Sequence, residues 1–225
     1  MNSRNKVLAG FALGVLAGLV LSAKKGQGLP ISHRFQEPLS QKFGLAYSGV
    51  LAGKVDKKIR EFSKRKPVFR NPALNRHLDE WILPGLSLYH VLLDEMVDQK
   101  AALQETERVL RAIVSQDKKV ILLKRAPSPF AILRAYIISK LKSSFPKGAW
   151  DIKIVSFEKN IVAFDISKCF YQEMLDYFGS PELTKVFCAL DEEQAAHLPK
   201  SIIFARKGTI GKGDKICDFR YEYRQ

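Results

Sequence analysis

The chain has 225 residues, 46% hydrophobic and 27% charged, enough to bury one sizeable core and too apolar for wholesale disorder. Its formal charge of +14 is uneven: residues 151–225 hold 11 Lys/Arg against 12 Asp/Glu, whereas residues 1–70 hold 14 against 3. Nucleic-acid binders interleave such charge with aromatics and carry recognition motifs; neither pattern is found here, so no nucleic-acid partner is expected and the charge points to a membrane surface.

Val7 to Ala23 runs without a charge, at the short end of what spans a bilayer as a helix. A single N-terminal transmembrane helix is therefore expected. A cleavable signal peptide fits less well, because Val20-Leu-Ser-Ala-Lys-Lys25 is a poor cleavage site. Gly10, Gly14 and Gly18 form one smooth stripe that would permit helix–helix self-association in lipid. The basic run Lys54–Lys66 suits an anionic leaflet, so the expectation is a single-pass protein with a cytoplasmic body, held to lipid through residues 7–23 and 54–66. Three divisions follow: an anchor over 1–25, a basic juxtamembrane helical segment over 26–70, and a domain over 71–225.

The middle of the chain is helical by periodicity. One periodic stretch starts at Glu37-Pro38 and runs towards Phe62, with Pro67 closing it. The next begins near Asn75 or Asp79, and Pro84-Gly85 should kink or break it after its first turn. Ala101–Val114 places Leu103, Leu110 and Val114 on one face, and Ser128-Pro129 opens a helix to Leu141. After Phe145-Pro146 the texture changes. Trp150–Phe157 and Asn160–Ile166 read as a hairpin around Glu158-Lys159, followed by short helices at Cys169–Phe178 and Pro181–Ala189. Ser201–Arg206 and Ile216–Tyr223 form a second strand pair. The fold class is α+β: a helical N-terminal half packed on a four-stranded, mainly antiparallel sheet.

All three cysteines lie in the last third, each close to a carboxylate: Asp165-Ile-Ser-Lys-Cys169, Cys188-Ala-Leu-Asp191 and Cys217-Asp218-Phe219-Arg220. An odd number cannot pair fully, and reduced thiols are expected. In a helix, Cys188 and Asp191 are three apart and share a face, which makes them the best local pair. In a strand, Cys217, Phe219 and Tyr221 face one way and Asp218 and Arg220 the other. Cys217 and Asp218 then cannot act as a dyad, whereas Asp218 and Arg220 could pair as ions. The four histidines form no metal-binding spacing, so no cofactor is expected, although a divalent metal held by residues distant in sequence stays open. The segment Gly208-Thr-Ile-Gly-Lys-Gly213 lacks phosphate-loop spacing.

The ordered motifs from Asp165 to Arg220 resemble the L-2-amino-thiazoline-4-carboxylic acid hydrolase family. They comprise Asp165 with Cys169, Gly179-x-Pro181-Glu182-Leu183, Phe187-Cys188-x-x-Asp191, Phe204-x-Arg206-x-x-Thr209, and Gly213 followed by Cys217-Asp218-Phe219-Arg220. The resemblance implies opening of a non-peptide C–N bond in a cyclic isothiourea, giving S-carbamoyl-cysteine or a similar product. It implies catalytic roles for Cys188, Asp191, Cys217 and Asp218, with Arg206, Thr209, Glu182 and Arg220 holding a small carboxylated substrate. A membrane-tethered ligand-sensing module of the same fold, without turnover, is the alternative. It is distinguished by whether Cys188, Asp191, Cys217 and Arg206 meet in one concave site.

Overall fold

The computed structural model describes residues 31–115 and 122–224. The expected anchor at residues 7–23 lies outside them. Among the described residues no helix is long and apolar enough to cross a membrane.

Two helices, α1 (His33–Phe43) and α2 (Leu45–Ser63), replace the single periodic stretch read from the sequence. Gly44 divides them at φ 78°, and its N–H closes α1 on the Ser40 carbonyl. Both helices bury side chains (Phe35, Leu39, Leu51, Val55 and Phe62) in the core shared with the rest of the chain. The boundary expected at residue 70 therefore does not divide that core. In the basic run, Lys54 pairs with Glu95 and Lys66 with Asp79, while Lys57, Arg60 and Lys64 stay exposed.

Asn71 caps α3 (Pro72–His77) by accepting the Ala73 N–H, with Pro72 at the first helical position. The chain then passes through one π-turn (Leu78–Ile82) into α4 (Leu83–Met96). Pro84 explains that turn. It has no N–H for the Glu80 carbonyl, the Leu83 N–H reaches back to Leu78, and Arg34 Nη2 donates to the freed Glu80 oxygen at 2.6 Å. The expected interruption is thus a π-turn, and Pro84 sits in the first turn of the next helix, where its missing donor costs little. Two long helices follow, the amphipathic α5 (Gln99–Ser115) and α6 (Pro129–Ser144), which has no marked apolar face.

The remainder holds the sheet. Strands β1 (Asp151–Phe157) and β2 (Ile161–Lys168) form the expected hairpin. After them come α7 (Phe170–Tyr177), a 3₁₀ turn (Pro181–Leu183) and α8 (Thr184–Ala196), which outruns its expected end at Ala189. Strand β3 (Ile202–Ala205), a second 3₁₀ turn (Ile210–Lys212) and β4 (Cys217–Tyr223) complete the chain. The sheet order is β1-β2-β4-β3, antiparallel throughout. Helices pack on this sheet, giving an α+β architecture. Strand parity sets the chemistry of its two faces: Phe164 and Ile166 of β2 lie opposite Phe219 and Cys217 of β4, and the Phe164 and Phe219 rings stack 4.9 Å apart.

Candidate functional site

The face carrying Cys217 and Phe219 does not close onto the helices. A cavity of about 290 Å³ separates it from α6 and α8. From α8 come Thr184, Phe187, Cys188, Asp191 and Gln194, which recur every three or four residues and so share one helical face. Cys217, Phe219 and Tyr221 enter from β4, Phe164 and Ile166 from β2, and Cys169 and Tyr171 from the start of α7. Tyr136, Ile137, Lys140 and Leu141 of α6 form the opposing side, with Trp81 and Trp150 beside them. All three thiols therefore border one apolar, aromatic space. They are free, and Cys188 and Cys217 are both buried.

Cys188 and Cys217 border the same cavity, and each thiol shifts the other. The neighbouring Cys188 thiol is the main reason that Cys217 is lowered below the ordinary thiol range, towards neutrality. The Ile210 N–H, 3.2 Å from Cys217 Sγ, and the charge of Arg206 act in the same direction against burial and Asp191. The Cys217 neighbour, together with burial, pushes Cys188 up. Burial raises Cys169 as well. The Ile210–Gly211 segment sits so close that a Cβ on Gly211 would lie 2.8 Å from Cys188 Sγ. Glycine is what lets backbone donors approach the thiol pair.

Asp191 lies deep among protein groups yet keeps 42% of its side-chain surface accessible, because it opens onto the cavity. Burial raises its pKa to about 6, against the opposing charge and hydrogen bond of Arg206. Arg206 Nη1 donates to Asp191 Oδ2 at 2.7 Å; Nη2 donates to the Cys188 carbonyl at 2.8 Å and to Glu192 Oε1 at 3.0 Å. The guanidinium also lies 5.1 Å from the Phe219 ring centroid, and 1% of its side chain is exposed. It thus braces the cavity wall from behind and does not line it. Thr184 does line it, and its Oγ1 is buried without a hydrogen-bond partner among the described residues.

Of the residues expected from sequence, the structure brings Cys188, Asp191 and Cys217 to the cavity, with Arg206 directly behind Asp191. Four others lie elsewhere, for identifiable reasons. Asp218 points to the other face of β4, where it accepts the N–H groups of Lys207 and Gly208 and fastens the loop after β3. Arg220 shares that face but reaches diagonally to Asp165 at 2.8 Å, not to Asp218, whose oxygen is already taken by backbone donors. Glu182 accepts hydrogen bonds from Tyr89 at 2.7 Å and Gln99 at 3.2 Å, joining α4 and α5 to the turn before α8. Thr209 is buried in the loop before β4, where its N–H donates to Asp214. Among the described residues, no three His, Cys, Asp or Glu side chains are grouped to hold a metal ion.

Sequence reasoning missed Lys140, Tyr171, Thr184 and Trp150. The α8 contribution was detectable as a face running from Thr184 to Gln194, once the helix is allowed to continue past Ala189. The α6 and Trp150 contributions depend on tertiary packing. Tyr171 is fixed by His77, whose Nδ1 lies 3.0 Å from its hydroxyl and whose Nε2 lies 2.9 Å from the Ser144 carbonyl.

A family model described as L-2-amino-thiazoline-4-carboxylic acid hydrolase matches residues 86–221, more than half of the chain, with all of α8, β4 as far as Tyr221 and most of the cavity. No curated protein matches. Among solved structures, the chain is similar to the Fe(II) unliganded H-NOX protein from K. algicida, at 15% identity and a TM-score of 0.35, covering 87% of this chain and 95% of that one. A point mutant of the same protein matches at 13% identity and a TM-score of 0.31, with the same coverage. Likeness at that level carries no inference about fold or ligand.

Proposed function

Because this chain belongs to the L-2-amino-thiazoline-4-carboxylic acid hydrolase family, we propose that its thiol cavity opens a cyclic isothiourea by hydrolysis of a ring C–N bond. The observation that carries this reading is the convergence of Cys217, Cys188 and Asp191 on one cavity, with the Ile210 N–H directed at Cys217 Sγ, a setting that favours its thiolate.

The chemistry follows from those states. The substrate enters as an amidinium, its ring nitrogen against the Asp191 carboxyl group and its flat ring among the aromatic walls, a favourable setting for a cation. Cys217 Sγ attacks the carbon between sulfur and the two nitrogens, and the C=N electrons move onto nitrogen. Protonated Asp191 gives its proton to the ring nitrogen as the C–N bond breaks, opening the ring. A thioimidate cation remains on Cys217. Asp191, now ionised, takes a proton from the water that attacks this carbon. Collapse expels the Cys217 thiolate, and the oxygen-bound proton passes to the freed amine. The product is S-carbamoyl-cysteine, with the enzyme returned to its starting charge. An acid poised near neutrality suits both proton transfers. Arg206 orients Asp191, and the Thr184 hydroxyl offers a partner for a polar edge of the substrate.

The same reading retains attachment to a membrane through residues 7–23, with the exposed basic residues of α2 facing anionic lipid and the body in the cytoplasm. The deciding experiment incubates the full chain with 2-amino-thiazoline-4-carboxylic acid and follows S-carbamoyl-cysteine by mass spectrometry. Product should form, vanish in Cys217→Ser and vanish in Asp191→Asn. Undiminished product in Cys217→Ser would remove the covalent route; tight binding without product would favour the non-catalytic ligand-binding module instead.

A further inference from the structure

The hydrolytic route uses one sulfur, yet the fold seats a second beside it. Cys188 and Cys217 are buried, free and part of the same cavity lining, although one belongs to α8 and the other opens β4. The stretch Ile210–Gly211 touches both. The Ile210 N–H lies 3.2 Å from Cys217 Sγ, and a Cβ on Gly211 would stand 2.8 Å from Cys188 Sγ. Two sulfurs held against consecutive residues are neighbours, and each is the leading influence on the ionisation of the other. The third thiol, Cys169, enters the lining separately, from the N-cap of α7.

Such a pair has the two properties that thiol oxidation needs. The first is access. Asp191, in the same lining, keeps 42% of its side-chain surface accessible, so a molecule as small as a peroxide can enter beside it. The second is freedom to close. A disulfide requires the two Cα atoms to come within about 7 Å, with their Cβ bonds converging. Cys188 is fixed in a helix, but Cys217 is the first residue of β4. It follows Gly213, at φ 99°, and residues 214–216 outside the strand ladder, so its backbone can adjust. A sulfur set to attack carbon is also a nucleophile towards peroxide oxygen.

We propose that Cys217 is a site of oxidation by hydroperoxides and that Cys188 is its resolving thiol, the two closing a reversible disulfide in the cavity wall. Cys217 Sγ attacks one peroxide oxygen and the O–O bond breaks. The departing hydroxide takes up a proton as water, and Cys217 is left as the sulfenic acid. Cys188 Sγ then attacks that sulfur. The S–S bond forms as the S–O bond breaks, and the Cys188 proton leaves with the hydroxyl as a second water. Two electrons pass from the thiol pair to one peroxide. An external dithiol reverses the change by exchange and becomes a disulfide itself. This chemistry does not rest on the hydrolytic reading; where that reading holds, the disulfide withholds its nucleophile until reduction.

The test treats the reduced full chain with hydrogen peroxide, blocks remaining thiols with N-ethylmaleimide and maps the peptides without reduction by mass spectrometry. The Cys188 and Cys217 peptides should appear as one linked species, two hydrogens lighter than their sum, and dithiothreitol should restore both. Cys169→Ala should still form that link. In Cys188→Ala, dimedone should trap the Cys217 sulfenic acid, and longer exposure should carry it to sulfinic acid that dithiothreitol does not reverse. A link through Cys169 in place of this pair overturns the assignment. So does a parent chain whose three thiols all remain blockable, or one in which Cys217 reaches sulfinic acid as fast as in Cys188→Ala. The linked peptide is read in the parent chain, so a Cys188→Ala that folds poorly leaves the test intact. Mapping reads sulfur and not turnover, so failure of the disulfide and failure of hydrolysis are scored separately.

Discussion

Cys217 Sγ receives the Ile210 N–H at 3.2 Å and has the Cys188 thiol as a neighbour, and both favour negative charge on this sulfur. One buried thiol is thus pushed down while its neighbour is pushed up, although the two side chains are chemically identical. The sign is direct: the thiolate fraction of Cys217 grows as pH rises through about 7. Alkylation by iodoacetamide, followed by peptide mapping, should label Cys217 with a midpoint near that value. Cys188 should stay unlabelled until well into the alkaline range. Cys188→Ala removes that neighbour and should move the Cys217 midpoint upwards, towards the ordinary thiol range of about 8.5. A midpoint already there in the parent protein, or one indifferent to Cys188→Ala, would refute this influence. Asp191 moves the other way in function: its acid form, needed for ring-nitrogen departure, is lost as pH rises through about 6. The productive state of the pair therefore holds one proton, and turnover should be bell-shaped with limbs near 6 and 7. A plateau extending to pH 9 would show that Asp191 does not supply that proton.

At the scale of elements, Phe187 reaches from α8 to α4 and packs on Gly85 while it lines the cavity. Gly85 makes that approach possible: a Cβ there would lie 2.6 Å from Phe187 Cζ. Gly85→Ala gains up to about 1 kcal/mol of helix propensity, yet overpacking a core ring costs about 1–3 kcal/mol, so the net effect is a loss. Melting should fall by roughly 3 °C, in keeping with a domain of this size, and the displaced ring should intrude on the cavity and weaken substrate binding. In a Phe187→Leu background the clash is gone and the same substitution should stabilise. A gain in melting temperature from Gly85→Ala in the parent chain would contradict this packing. Such contacts explain what the sequence could and could not disclose. Strand parity alone separated Cys217 from Asp218, and the i, i+3 relation alone joined Cys188 to Asp191, because both depend on local geometry. The diagonal Arg220–Asp165 pair depends on register between strands about fifty residues apart, and the brace of Arg206 on Asp191 depends on how β3 meets α8. Neither is written in local spacing. The split at Gly44 was hidden for a different reason: hydrophobic periodicity resumes on both sides of it, and only the positive φ marks the break.

At the scale of the whole molecule, α2 carries exposed apolar and exposed basic side chains on one element. Leu45, Val50 and Tyr47 are exposed near the start of α2, and Lys57, Arg60 and Lys64 are exposed further along it. Lys54 and Lys66, by contrast, are engaged with Glu95 and Asp79. Residues 31–225 form a compact unit of their own, so a chain beginning at Ile31 should fold and keep its cavity without the apolar run 7–23. Two kinds of lipid attachment are then separable. If residues 7–23 anchor the protein, the full chain should require detergent and the shortened chain should not; a full chain that stays soluble without detergent removes the anchor. The shortened chain should retain weak affinity for phosphatidylserine-containing vesicles through α2. Each exposed basic residue is worth on the order of 1 kcal/mol at such a surface, and the effect is screened as ionic strength rises. Sedimentation with vesicles should therefore show binding at low salt that is lost at high salt. Reversing Lys57, Arg60 and Lys64 together to glutamate should abolish it, whereas Lys54→Gln and Lys66→Gln, made as a pair, should change it little. Binding that ignores salt, or that survives the triple reversal, would leave the charge of α2 as solvation of a helix face and nothing more.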